Sequence, residues 1–279
     1  MAMKSSADLP FSYNRMPDSS GNCLWQYEPL FHVFAAAEPA VILLAGRRMA
    51  LSAGEVLFLN SHQPYCLPAE TGPAALLCLA FSPDVISPDR NSRLYRKYLK
   101  PLLGIAAGQA LLLRRDLPDA QEIVRMMNHL DHLPEEGSEL GLLAASTRIF
   151  ALTAEALAAQ GPDVLPQDGR KTRRFVQLLQ YIEAGYAEKF TLDTIAGHIG
   201  LSRSECSRFF KDMTGQNLFN YLIDYRIARS LALLKDTDMP ISEVAAAAGF
   251  SGQSYYTKCF SERKGITPVE YRKCWRQPR

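Results

Sequence analysis

GLSRSECSRFFKDMTG, Gly200 to Gly215, and GFSGQSYYTKCFSERKG, Gly249 to Gly265, are two versions of one text about 50 residues apart. Extended towards the N-terminus, Leu192 pairs with Ile241, Ile195 with Val244, Ala196 with Ala245, Gly200 with Gly249, Leu201 with Phe250 and Ser202 with Ser251. One inserted residue in the second copy then shifts the frame. Arg208 pairs with Lys258, Phe210 with Phe260, Gly215 with Gly265 and Tyr221 with Tyr271. Each copy predicts a helix, a tight turn and a second helix. Thr191 can cap the first helix, and Ser202 and Ser251 are placed to cap the second. Gly200 and Gly249 stand where the first helix must end in a turn, a position suited to positive φ, and Gly215 and Gly265 end the second helix. Ala196 and Ala245 are small enough for two helices to cross closely. This is the layout of a helix-turn-helix, whose second helix enters the DNA major groove.

Helical phase separates the faces of the second helices. In the first copy Cys206, Phe209 or Phe210 and Met213 form the apolar stripe, leaving Arg203, Ser204, Ser207, Arg208 and Lys211 on the other side. In the second, Tyr255, Tyr256, Cys259 and Phe260 are apolar, leaving Gln253, Ser254, Thr257, Lys258 and Ser261. Such side chains suit base edges: Arg is bidentate to guanine, Gln to adenine, and the Thr methyl meets that of thymine. Between the copies, LFNYLIDYRIARSLALLK from Leu218 to Lys235 repeats at helical spacing. A helix of about 18 residues spans ~27 Å, and two reading helices in successive major grooves lie ~34 Å apart. With the width of the two modules added, one chain can do what usually takes a dimer.

The chain has 279 residues, 47% hydrophobic and 22% charged, enough for two domains. No uninterrupted apolar run of membrane-spanning length occurs, and the first 20 residues lack the apolar stretch of a secretory signal, so a cytoplasmic protein is expected. Six scattered cysteines without a C-x-x-C pair predict reduced, buried thiols. From Arg170 onward 18 Lys and Arg face 11 Asp and Glu, a net of +7, whereas residues 1–169 carry a net of −5. A basic face on the C-terminal part suits an anionic polymer.

Apolar runs of strand length (PLFHVFAA, AVILLAG, EVLFLN, AALLCLAF) from Tyr27 to Phe81, punctuated by Gly, Pro, Ser and Asn, predict an all-β sandwich or barrel. After Ser87 the spacing becomes helical, ending in one long helix from Ser138 to Gln160. Its stripe of Leu140, Leu143, Ala144, Thr147, Phe150, Ala151, Ala154, Leu157 and Ala158 reads as intradomain core or as a homodimer interface through 138–160. GPDVLPQDG, Gly161 to Gly169, reads as a linker, which places the domain boundary near residue 165.

Residues 172–279 resemble the DNA-binding domain of the AraC/XylS family of bacterial transcription regulators. The likeness rests on YLIDYRIARSLALL and on GFSGQSYYTKCFSERKGITPVEYR, which follows the family pattern G-F-x-x-x-S-Y-F-x-x-x-F-K-x-x-x-G-x-T-P-x-x-Y-R. Gly252 replaces a common acidic residue, Ser261 a lysine, Tyr256 a phenylalanine and Cys206 a leucine, and Leu218 stands where a proline equivalent to Pro268 would be. Carried over by position, the resemblance implies base or phosphate contacts for Ser204, Ser207 and Arg208, and for Gln253, Ser254, Thr257 and Lys258. It also implies an α+β two-domain chain. Residues 1–165 would form a cupin-like effector-sensing and dimerisation domain, with a β-barrel at about 20–85 and helices at about 90–160. Residues 166–279 would form the DNA-binding domain, with helix-turn-helix units at about 191–215 and 240–265 and a linker helix at about 217–235. GEVLFLNSHQPYCL, Gly54 to Leu67, resembles the family's strand-and-turn signature, with Glu55, Ser61 and Tyr65 in place of Asp, Pro and His.

The implied partners are double-stranded promoter DNA, RNA polymerase and an unidentified small-molecule effector, with activation as the family's habit and no membrane. By fold analogy Trp25, Arg47, His62 and Tyr65 are the effector-pocket candidates. A metal-dependent cupin would need three or four ligands converging from an H-x-H and a later His. His32 and His62 stand alone, so no metal, no cofactor and no enzymatic activity are expected. The alternatives are a cupin-type metal enzyme or repair protein with an appended DNA-binding domain, and an effector-free regulator controlled by a protein partner.

Overall fold

The computed structural model describes residues 11–16, 24–68, 70–72, 74–105, 109–132, 138–160 and 169–276. The chain divides into two compact units, one holding Trp25–Arg173 and the other Arg174–Arg279. The linker expected at Gly161–Gly169, and with it the boundary at 165, falls on residues outside the described ones but for Gly169.

In the first unit β1 (Phe11–Met16), β2 (Phe31–Ala36), β3 (Ala40–Leu44), β4 (Arg47–Leu51), β5 (Val56–Leu59), β6 (Tyr65–Cys66) and β7 (Leu76–Phe81) precede α1 (Pro83–Ile86). A π-helical turn (Tyr95–Leu99), α2 (Lys100–Leu103), β8 (Leu111–Leu113), α3 (Pro118–Asp131) and α4 (Ser138–Gln160) follow. The strands pair antiparallel in two sheets, ordered β1-β7-β2-β5-β8 and β4-β3-β6. This corrects the expected barrel: among the described residues the sheets face each other as a sandwich and do not close into a cylinder. Two strands, β1 and β8, come from outside the 20–85 window.

Every residue of β2, β5 and β7 is buried. The reason is a cover on both faces. Phe31, Val33, Val56, Phe58, Leu77, Leu79 and Phe81 share one core with α3 and α4. Phe34, Ala36, Leu57, Leu59, Leu76 and Cys78 share the other with Ile42, Leu44, Met49 and Leu51 of the small sheet. Strands covered twice read as unbroken apolar runs. The helical layer is tied down by Tyr13, whose hydroxyl donates to the Met127 carbonyl at 2.7 Å. Pro101 cannot donate a backbone hydrogen bond, and the turn before it widens so that the Lys100 N–H reaches Tyr95.

α4 buries Leu142, Ala145, Ile149, Leu152 and Ala156, while Leu140 (78% exposed), Leu143, Ala144, Thr147 and Ala158 lie on its surface. The stripe read from the sequence is therefore largely an outer face, and only Phe150 of that set is fully buried. By length and composition alone α4 is apolar enough to cross a membrane, a property that a search for strictly uninterrupted apolar runs does not register.

The second unit is helical: α5 (Gly169–Gly185), α6 (Leu192–His198), α7 (Arg203–Thr214), α8 (Leu218–Asp236), α9 (Ile241–Ala247), α10 (Gln253–Lys264) and α11 (Pro268–Arg276). α8 is the shared spine, against which α7, α9, α10 and α11 pack. Tyr221 near its start packs against Phe210 with the two rings tilted, and Ile227 and Leu234 further along enter a core with Val244, Tyr256 and Phe260.

Candidate nucleic-acid interface

The two helix-turn-helix units are built by the same bonds. In both turns the residue after the glycine donates back to the alanine, Leu201 to Ala196 and Phe250 to Ala245, each at 2.9 Å. Gly200 donates to Gly197 and Gly249 to Ala246. This pair of bonds is the Schellman closure, which needs a left-handed residue at the turn, and Gly200 and Gly249 have φ of +65° and +84°. The second helices end alike, Gly215 donating to Lys211 and Gly265 to Ser261.

The N-termini differ. Ser202 caps α7 in a full capping box: its hydroxyl accepts from the Glu205 N–H, and the Glu205 carboxylate accepts from the Ser202 N–H at 2.9 Å. That carboxylate is held below its usual range, first by the Ser202 hydroxyl and then by the Ser202 N–H. Ser251 does not cap α10; Gly252 occupies the cap position and offers no side chain. The residue inserted in the second copy lies in this turn and displaces the serine from its role. Thr191 caps α6 reciprocally with Thr194.

Arg203, Ser204, Ser207, Arg208 and Lys211 are all exposed on α7, over buried Cys206 and Phe210. On α10, Gln253, Ser254 and Lys258 are exposed and Thr257 is half-buried, over buried Tyr256, Cys259 and Phe260. Positions 204, 207, 208 and 211 recur as 254, 257, 258 and 261, so the structure brings each set onto one face of its helix. Tyr255 departs from the expected apolar stripe. It is 48% exposed on the flank of α10, and the neighbouring Cys259 thiol pushes its phenol pKa up. Arg203 pairs with Asp193 at 3.3 Å; an exposed pair of this kind is worth at most ~1 kcal/mol and yields readily to a phosphate.

Sequence reasoning missed the groups that hold α10 to α8. Arg263 forms a largely buried ion pair with Asp224, and the Tyr256 hydroxyl donates to Ser230 Oγ at 3.0 Å. Partners 39 and 26 residues apart carry no local signal.

In the first unit the four effector-pocket candidates divide by burial. Trp25 and Tyr65 are buried, while Arg47 and His62 are exposed. The His62 ring meets Tyr27 edge-on at 5.3 Å. Tyr65 instead belongs to an interior polar cluster that sequence reasoning did not assemble. Buried His32 lies 3.4 Å from the Glu28 carboxylate and 4.9 Å, ring to ring, from Tyr65. The His32 contact holds the Glu28 carboxyl below its usual range, and burial pushes the Tyr65 phenol and the Cys78 thiol up. Among the described residues no group of three or more His, Cys, Asp or Glu converges as a metal site. Cys66 is disulfide-bonded, which corrects the expectation of six reduced thiols; Cys78, Cys206, Cys259 and Cys274 are free. A cavity of about 590 Å³ lies between α3 and α4, with Met126, Leu130 and Ala145 as apolar lining and Arg125, His129 and the Glu122–Arg148 ion pair as polar lining.

Residues 195–274 match the family model described as a helix-turn-helix domain. The chain is 28% identical over 237 residues to an uncharacterized HTH-type transcriptional regulator of Bacillus subtilis (strain 168), YdeC, covering 84% of this chain and 80% of that protein. It is 33% identical over 100 residues to the arabinose operon regulatory protein of Escherichia coli (strain K12), a match covering 36% of this chain and 34% of that protein. The crystal structure of a transcriptional regulator with an AraC-type DNA-binding domain from Chromobacterium violaceum aligns at 29% identity and a TM-score of 0.36, covering 38% of this chain and 96% of that one. These relatives are regulators by name.

Proposed function

We propose that the chain is, through its C-terminal domain, a helix-turn-helix regulator of the AraC/XylS family, and that it binds promoter DNA with α7 and α10 in successive major grooves. The observation that carries the reading is the repeat itself: two modules closed by the same bonds, each offering a polar face at matching positions, on one spine of 19 residues. Arg203, Ser204, Ser207, Arg208 and Lys211 contact the first groove, and Gln253, Ser254, Thr257 and Lys258 the second. The first copy, richer in arginine, carries more of the sequence discrimination; the second carries more of the anchoring.

The domain division at 165 and 166, the cupin-like ancestry of the sandwich, cytoplasmic location, recruitment of RNA polymerase and activation of transcription are parts of the same proposal. A small effector bound by the first unit biases DNA binding, through the surroundings of Trp25, Arg47, His62 and Tyr65 or through the cavity between α3 and α4, whose size suits a small ligand. It acts only by binding the DNA-competent and incompetent states with different affinity. The outer face of α4 supports homodimerisation, since Leu140 and Leu143 lie exposed there beside small residues.

The test is a gel shift on a duplex selected by the protein from a random pool, repeated with candidate effectors. Arg208→Ala is expected to weaken specific binding by roughly 1–3 kcal/mol, the worth of one bidentate base contact, and Lys258→Ala by less. If both variants bind as the wild type does, the assignment of the reading helices fails.

A further inference from the structure

Tyr186 to Glu188, between α5 and α6, precede the first helix-turn-helix in the chain, yet the spine and the second module hold them. Arg226 of α8 donates from Nε to the Tyr186 carbonyl at 2.7 Å and from Nη2 to the Glu188 carbonyl at 2.8 Å. Burial lowers the pKa of this guanidinium, and an arginine side chain remains charged in proteins. The Tyr186 side chain lies on the same helix, with the Arg229 guanidinium 5.5 Å from its ring and Tyr225 edge-on at 5.5 Å. From the other side the turn of the second module closes in. A Cβ on Gly249 would come within 2.7 Å of both the Tyr186 carbonyl oxygen and Ala187 Cα, whereas one on Gly200 would meet nothing within 4 Å. The close approach is therefore no general property of the turn; it exists in the second copy alone.

We propose that this strap, with Arg226 as its positioning residue, fixes the angle and separation of α7 and α10 and so sets the half-site spacing that the protein accepts. The proposal rests on the reading that both helices engage DNA. α8 is one connection between the modules, holding α7 through Phe210 against Tyr221 and α10 through Arg263 with Asp224. The strap adds a second one, from the segment leading into the first module to the turn of the second, and a closed ring resists rocking. Two linked modules gain their joint affinity only when their geometry matches that of the two sites, and a pair that must be ordered on binding loses part of it. Loosening the strap therefore weakens binding to correctly spaced DNA and blunts the penalty for wrong spacing.

The experiment takes a duplex selected by the wild-type protein from a random pool, then the same duplex with one, two or five base pairs inserted between its half-sites, and with either half-site scrambled. Arg226→Ala and Gly249→Ala are expected to bind the intact duplex about tenfold more weakly and to discriminate less between spacings, with each half-site alone bound within about threefold of wild type. Gly200→Ala, strained by the same sign of φ but meeting open space, keeps the wild-type ranking of spacings. Should Arg226→Ala not fold, Arg226→Lys decides, because one ammonium cannot span both carbonyls as the guanidinium does. Equal weakening on intact and single half-sites, with the spacing ranking unchanged, would give Arg226 a merely structural role and overturn the proposal. A wild type that binds the intact duplex no better than its stronger half-site would instead overturn the two-groove reading beneath it.

Discussion

Tyr256 stands where the family pattern has phenylalanine, and the structure gives its extra oxygen a partner. Its hydroxyl donates to Ser230 Oγ, which in turn donates to the Ile227 carbonyl at 2.7 Å; both side chains are fully buried. Burial pushes the phenol up to about 12, so it remains a neutral donor. The two ends of this bond are not equivalent. Ser230→Ala leaves a phenol hydroxyl in an apolar core without that acceptor, at a cost of roughly 1–3 kcal/mol, whereas Tyr256→Phe leaves Ser230 still bonded to Ile227 and costs about 1 kcal/mol. The double variant strands nothing and is expected to be more stable than Ser230→Ala alone, a coupling that urea unfolding of all three proteins measures. Additive losses would show that the bond is not what fits the tyrosine there. Ser251 teaches a related lesson. It matches Ser202 in the alignment, but a one-residue insertion gives the cap to Gly252, and sequence pairing on either side of an insertion does not say which neighbour takes the role.

Helices were readable wherever their signals were local. Thr191, Ser202, Gly200, Gly215, Gly249 and Gly265 mark ends that their own backbone geometry requires, and the spine, expected at about 217–235, runs from Leu218 to Asp236. What failed was long-range. Whether strands close into a barrel depends on pairings such as Phe11 with Phe81 and Val56 with Leu113, and no local pattern states them. β8 hides in a three-leucine run that has no alternation. On α4 the difficulty is one of phase, because both of its faces are apolar: Leu142, Ala145, Ile149, Leu152 and Ala156 serve the core, while Leu140, Leu143 and Ala144 face outwards. If the outer face joins two copies, Leu140→Lys with Leu143→Lys shifts a dimer towards monomer in sedimentation velocity and leaves the thermal stability nearly unchanged, because neither side chain belongs to the core. A monomeric wild type at micromolar concentration would remove the proposal. Loss of stability without a change of mass would place the two leucines in the fold instead.

The charge of the chain is divided, a net of +7 after residue 169 against −5 before it, and DNA binding is where that division becomes measurable. Each phosphate contact adds ~0.9 to the slope of log affinity against log salt, whereas a contact to a base edge adds specificity and little slope. Phosphate-contacting lysines and base-contacting arginines should therefore separate in a salt titration. Lys211 and Lys258, compact charges on flexible stems, are expected to lower the slope by about one each when replaced by alanine, and to weaken binding alike on all sequences. Arg208→Ala is expected to keep the slope nearly constant while flattening discrimination at one base pair under the first module. The opposite outcome, a loss of slope for Arg208 and a loss of base preference for Lys258, would exchange the roles of α7 and α10, with the second copy reading and the first anchoring.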